Sequence, residues 1–348
     1  MKSLTLIAAS ALLAGACGST TSPTPPPPTE DPPVITCPAP QTVQLTTGTS
    51  IAVTFPNPTT ANGKPPVTSS CTPQSGSVFT VGATTVSCTA TDALQRTASC
   101  SFPVTVTAAP VPKLTVTRFV SFGDSITAGE DGVDGGPDTS GLCVPKVTTT
   151  GGIGQRIILP AAQTYPGQLQ AQLSTRYTTQ SPTVLNRGCP GEYAVGTNTR
   201  ARFDAIVSTG QYDVVLIMEG SNDIFEPIRS DPVGAAAAAL RSLVGDAKAT
   251  GVRPLLATIP PMNPAGRRGA GAPLVGALND RIYQVGTAEN LVIVDVNAAF
   301  NGNLTLIGDD GLHPTAAGYQ VIAQAFADSI KNQLEVKTSI VPSVRRRR

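Results

Sequence analysis

At 348 residues the chain has room for two domains and tails, and its 40% apolar content is enough to bury a core in each. Only 14% of residues are charged; without Lys2 and the terminal Arg345–Arg348 the body carries 19 basic against 23 acidic residues. No basic cluster marks the body, which argues against a nucleic-acid partner, and a single histidine argues against a histidine-built zinc site, so no cofactor is expected.

The opening run "MKSLTLIAASALLAGAC" has one positive charge, an apolar stretch from Leu4 to Leu13, and small residues before Cys17. Residues 1–16 read as an export signal, too short to span a bilayer. Leu13-Ala14-Gly15-Ala16-Cys17 resembles a bacterial lipobox, which would lipidate Cys17 and make it the mature N-terminus; ordinary signal cleavage, giving a secreted protein, is the alternative. Parity favours lipidation. Of seven cysteines, setting Cys17 aside leaves an even six, Cys37, Cys71, Cys88, Cys100, Cys143 and Cys189, suited to pairing in an oxidising compartment. The expected location is a bacterial membrane facing the periplasm or exterior, reached through a lipid anchor.

Residues 17–33 continue as a Pro-rich linker with a reach of about 50 Å when extended. From 34 to 108 the pattern has period two. Ile51, Val53 and Phe55, then Val86, Cys88 and Ala90, then Cys100, Phe102, Val104 and Val106 alternate with small or polar residues between turn-forming segments. Short strands of this kind predict a small antiparallel β-sandwich, with Cys37, Cys71, Cys88 and Cys100 as staples of open connectivity. The run from Cys37 to Val106, above all "SGSVFTVGATTVSCTATD", resembles a hyalin repeat, an immunoglobulin-like extracellular module. The resemblance implies contact with a cell surface or polysaccharide; with no aromatic or basic cluster in the run, a spacer is the preferred reading.

Residues 113–336 alternate strands and helices. "RFVSF" (118–122), "TVLNR" (183–187), "DVVLIM" (213–218), "RPLLATI" (253–259) and "LVIVDV" (291–296) predict strands, and segments near 165–177, 233–249, 273–286 and 315–336 predict helices. This alternation predicts a parallel sheet covered on both faces, with ligands at the carboxyl ends of its strands. Residues 337–348 form a solvated basic tail.

Four motifs fall at that edge: "FGDSITAG" around Ser125, "LNRGCPG" around Gly188, "MEGSND" around Asn222, and "DGLHP" around Asp310 and His313. Each is weak alone. In this order they resemble the SGNH, or GDSL-type, serine hydrolases. That implies a three-layer α/β/α, flavodoxin-like fold with a five-stranded parallel sheet, Ser125 as nucleophile, Asp310 and His313 completing a triad, and Ser125, Gly188 and Asn222 as oxyanion donors. The residue chemistry agrees: a serine hydroxyl needs a base, and His313 is the only imidazole available. Asp310 is the expected orienter of the ring, with Asp309 as the alternative; Asn222 could instead cap a helix.

Cys143 and Cys189 are expected to pair, tying the loop after Ser125 to the Gly188 turn. The glycine-rich segment 129–162 is expected to border the substrate pocket; its Asp131, Asp134 and Asp138 do not have EF-hand spacing. The expected activity is ester hydrolysis through an acyl-enzyme. With no tryptophan and 4% aromatic residues, the chain lacks an evident stacking platform, and short-chain or carbohydrate O-acyl esters are the expected substrates. The alternative is a surface adhesion lipoprotein with an inactive hydrolase-like domain.

Overall fold

The computed structural model describes residues 30–134 and 156–337. The chain divides into two compact units, Met1–Pro110 and Val111–Arg348. The export signal, Cys17, most of the linker, Cys143 and the basic tail lie outside the described residues.

The first unit is all β. Its strands are Val34–Thr36 (β1), Gln41–Gln44 (β2), Ser50–Ala52 (β3), Thr59–Ala61 (β4), Thr68–Thr72 (β5), Val78–Thr80 (β6), Gly82–Thr91 (β7) and Thr97–Thr107 (β8). The main sheet has the order β2-β8-β7-β5, and β3 pairs with β6 and β1 with β4. Period-two alternation turns Val86, Cys88 and Ala90 of β7 and Phe102, Val104 and Val106 of β8 inward, where they are buried with Val53, Phe55 and Phe79. The alternation fails at Ile51, which is exposed although Val53 and Phe55 are not. Connectivity is now defined: Cys37 bonds Cys100, and Cys71 bonds Cys88 directly across the β5–β7 pair.

In the second unit four parallel strands form the sheet: Arg118–Gly123 (β9), Thr183–Gly188 (β12), Val214–Met218 (β13) and Arg253–Leu256 (β14), in the order β12-β9-β13-β14. Between β9 and β12 a short antiparallel pair joins Glu130–Asp134 (β10) to Arg156–Ile158 (β11). All five residues of β13 are buried, the continuous apolar run expected of a strand covered on both faces.

Helices cover the sheet in two groups. Tyr165–Arg176 (α2) packs on Ala316–Leu334 (α8), where the Tyr165 and Phe326 rings stack at 5.3 Å. Pro232–Ala249 (α5) packs on Thr199–Val207 (α3) and Ala272–Glu289 (α6), and Phe203 of α3 meets Phe122 of β9 edge-to-face. Short helices Ser125–Ala128 (α1), Ser221–Phe225 (α4) and Val296–Ala299 (α7) follow the strand ends.

The expected five-stranded sheet is corrected here. Residues 291–296 contribute only the parallel bridge of Val294 to Ala257, closed by Val294 N–H to the Leu256 carbonyl at 2.9 Å and Thr258 N–H to the Val294 carbonyl at 3.0 Å. The strand stops because Asp295 caps α7, its carboxylate accepting the Ala298 N–H.

Candidate active site

Ser125 is the first residue of α1, directly beyond β9. Asp124 supplies the N-cap, its Oδ1 accepting the Ile126 N–H at 2.9 Å, and so holds the turn that presents Ser125. As first residue of the helix, Ser125 has no intrahelical partner for its own N–H.

His313 comes from the loop before α8, and Asp310 builds that loop. Its Oδ1 accepts the N–H groups of Leu312 (2.9 Å) and His313 (3.0 Å), while Oδ2 lies 2.6 Å from His313 Nδ1. On the far side of the ring, His313 Nε2 lies 2.7 Å from Ser125 Oγ. Burial alone would push the Asp310 carboxyl up, but the hydrogen bond and charge of His313, with the two backbone donors, hold it below its ordinary value. Ionised Asp310 can only accept, so Nδ1 carries the hydrogen and Nε2 offers its lone pair to the serine hydroxyl. Asp309, the alternative orienter, is exposed.

Asn222 follows β13 on α4. Gly220, not Asn222, is the N-cap, so the helix-capping alternative is set aside. One hydrogen of the Asn222 amide goes to the Glu192 carbonyl at 2.7 Å, leaving the second for another acceptor. Glu192 is fixed by an ion pair to Arg202, whose guanidinium also lies over the Phe122 ring and donates to the Arg187 carbonyl. Asp223 ties α4 to the same region by accepting the Ala194 and Val195 N–H groups.

Gly188 takes a different part from the one expected. Its N–H donates to Asn186 Oδ1 at 2.9 Å and is therefore engaged. What the position requires is the absence of a side chain: a Cβ there would stand 2.0 Å from the Ala128 nitrogen, so β12 could not approach α1. Gly191, at φ +77°, occupies the following turn beside Glu192, and no bond among the described residues takes its N–H. Cys189 is disulfide-bonded, while Cys143, its expected partner, is outside the described residues. Asp138 and the side chains of Asp131 and Asp134 are likewise outside them.

One group at the site carried no sequence signal. Glu130, the first residue of β10, places Oε2 3.6 Å from His313 Nε2 and Oε1 3.1 Å from Arg268 Nη1. Beneath Ser125, Asp124 and Glu219 are both 1% exposed and extend adjacent strands from the register pair Gly123–Met218. Burial, countered only in part by the Ile126 N–H and by His313, pushes the Asp124 carboxyl up to about 7; burial and the neighbouring Asp124 charge push Glu219 well above its ordinary value.

A family model for GDSL-like lipases and acylhydrolases matches residues 121–321, more than half of the chain and the whole of this constellation. The chain belongs to this family. The GDSL domain is a carboxylic ester hydrolase, and it is preceded by an HYR domain matched over residues 29–106. Similar solved structures include a lipase/acylhydrolase from Enterococcus faecalis (22% identity, 64% of this chain and 100% of that one, TM-score 0.49). They also include LAE5, an alpha/beta hydrolase from the metagenome of Lake Arreo, Spain (25% identity, 63% and 96%, 0.48), and Axe2, an acetylxylan esterase from Geobacillus stearothermophilus (25%, 62% and 94%, 0.45). No curated protein matches the chain.

Proposed function

We propose that Ser125, His313 and Asp310 are the catalytic triad of this GDSL hydrolase, acting outside the cytoplasm on short-chain or carbohydrate O-acyl esters. The observation that carries the reading is the unbroken chain Ser125 Oγ, His313 Nε2, His313 Nδ1, Asp310 Oδ2, with contacts of 2.7 and 2.6 Å. As Ser125 Oγ attacks the ester carbonyl, its proton passes to Nε2 and the charge of Asp310 stabilises the imidazolium. The carbonyl oxygen, now negative, is held by the N–H groups of Ser125 and Gly191 and by the free hydrogen of the Asn222 amide. Collapse expels the alcohol with the Nε2 proton and leaves an acyl-serine. Water, giving its proton to Nε2, reverses the sequence and releases the acid.

Gly191 replaces Gly188 as the second backbone donor in this reading, because Asn186 occupies the Gly188 N–H. A small acyl group is favoured by the burial of the reacting atoms: Ser125 is 3% exposed and His313 fully buried. Bonded Cys37, Cys71, Cys88, Cys100 and Cys189 support an oxidising compartment, and cysteine parity supports lipidation of Cys17. No described helix is long and apolar enough to cross a membrane. The HYR domain is of an adhesion type; we assign it here as a spacer, because its three aromatic side chains among the described residues, Phe55, Phe79 and Phe102, are all buried and leave no stacking face for a sugar.

The test is hydrolysis of p-nitrophenyl acetate and of acetylated sugars by the mature chain and by Ser125→Ala. Activity in the first and its loss in the second is the expected result. Equal rates would remove the triad and leave the reading of an inactive adhesion lipoprotein.

A further inference from the structure

His313 is faced by charge on both ring nitrogens. Asp310, from its own loop, lies 2.6 Å from Nδ1. Glu130, from the segment after α1, brings Oε2 to 3.6 Å from Nε2, the nitrogen that takes the serine proton. Asp124, at the N-cap of α1, lies close enough for its charge and that of His313 to influence each other. Arg268, whose side chain is 15% exposed, is the cation that pairs with Glu130 and approaches Asp310.

Glu130 is held in place from two directions. Its backbone carbonyl accepts the Tyr319 hydroxyl of α8, and Oε1 of its 4% exposed side chain pairs with Arg268 Nη1 at 3.1 Å. Arg268 is anchored in turn to the histidine loop: its N–H donates to the Asp310 carbonyl at 2.6 Å, and its Nε stands 3.9 Å from Asp310 Oδ2. A buried carboxylate and a half-buried guanidinium thus link the nucleophile segment to the histidine turn, and both act on one imidazole in a setting where water screens them less than at an open surface.

We propose that Glu130 and Arg268 are positioning residues of opposite electrostatic effect, which together set how readily His313 accepts a proton. The proposal rests on the triad reading for its catalytic meaning. Glu130 stabilises the imidazolium formed when Nε2 takes the Ser125 proton. Arg268 opposes that charge and divides the pull of Glu130 with the ring. The balance lets Nε2 gain a proton in attack and surrender it to the leaving alcohol.

A single histidine makes the test free of assignment, since the imidazole proton resonances of the whole chain report His313 alone. In Glu130→Gln the midpoint of the histidine titration moves down by about one pH unit, because a nearby carboxylate is replaced by a neutral isostere. In Arg268→Gln it moves up by a similar amount, and the double variant returns close to the parent. The acid limb of kcat/KM follows the same order. A merely structural pair would not displace the titration in opposite directions; unmoved midpoints, or shifts of one sign in both variants, overturn the proposal. If Arg268→Gln fails to fold, Glu130→Gln and Glu130→Asp decide alone: Asp keeps the charge and should restore part of the displacement, and its failure to do so counts against the proposal. The same titrations in a Ser125→Ala background separate this proposal from the triad. Full hydrolysis by Ser125→Ala would sink the triad reading, whereas an inactive Ser125→Ala with unmoved midpoints would sink only the role of Glu130 and Arg268.

Discussion

Asp310 joins His313 twice: Oδ2 lies 2.6 Å from Nδ1, and Oδ1 accepts the His313 backbone N–H at 3.0 Å. One carboxylate therefore shapes the turn and orients the ring, and the two duties separate on substitution. Asp310→Asn keeps an oxygen for the turn but turns an amide donor towards Nδ1. We expect kcat to fall by about 10³–10⁴-fold with KM little changed. Its stability effect follows from the depressed carboxyl. A group whose folded value lies below its unfolded value stabilises above the unfolded one, and that stability is lost as pH falls through the folded value. The melting-temperature gap between parent and Asp310→Asn should accordingly be widest near pH 7 and close below pH 4; a gap that widens on acidification would contradict this.

Asp124 and Glu219 carry the opposite sign. Both are buried with carboxyls raised, Asp124 to about 7, so folding favours their protonated forms. Between the ordinary value of 3.8 for Asp124 and about 7 the unfolded chain releases a proton that the folded chain keeps. This contribution to stability falls across that window as pH rises. Asp124→Asn retains an oxygen for the Ile126 N–H and removes the titration. Relative to the parent, its melting temperature should rise by about 3 °C or more at pH 8 and little at pH 4. A pH-independent difference would show that Asp124 is not held protonated.

Much of this molecule was legible because its signals are local. The helices expected near 165–177, 233–249, 273–286 and 315–336 lie within a few residues of α2, α5, α6 and α8, since apolar spacing and caps are local properties. Ser125, Asp310 and His313 were legible because each motif sits next to a strand or helix end, and the fold brings those ends together. Glu130 and Arg268 were not. Glu130 looked like the start of an acidic glycine-rich loop, and its contacts with Arg268 and Tyr319 reach across 138 and 189 residues. Gly188 misled for a related reason, since a glycine needed for backbone approach has the same letter as one needed for a free N–H, and only Asn186 distinguishes them.

That distinction can be measured. Asn222→Ala should lower kcat by about 10²–10³-fold with little change in KM, the loss of one donor that acts on the transition state. Gly188→Ala should instead fail by destabilisation, costing about 3 kcal/mol or more, because its Cβ would overlap α1 backbone that cannot retreat from the nucleophile turn. A stable Gly188→Ala protein with reduced kcat would restore Gly188 as an oxyanion donor.

The two sandwich disulfides should differ in worth in a way that loop length sets. Cys37–Cys100 closes a separation of 63 residues and Cys71–Cys88 one of 17, so chain-entropy loss in the unfolded state assigns them about 4 and about 3 kcal/mol. Both staple a small core built on Val53, Phe55, Phe79, Val86, Phe102, Val104 and Val106, which has little stability to spare. Replacing Cys37 and Cys100 by serine should lower the calorimetric transition of the first unit further than replacing Cys71 and Cys88, and neither change should alter hydrolysis of p-nitrophenyl acetate at 25 °C. Since Cys71 and Cys88 face each other on paired strands, their removal also leaves the ladder intact, whereas Cys37 lies outside the named strands and has no ladder pairing of its own. The reverse order of destabilisation would mean that packing around Cys88, fully buried, outweighs loop closure. Loss of hydrolysis in either variant would show that the HYR domain does more than hold the hydrolase at a distance.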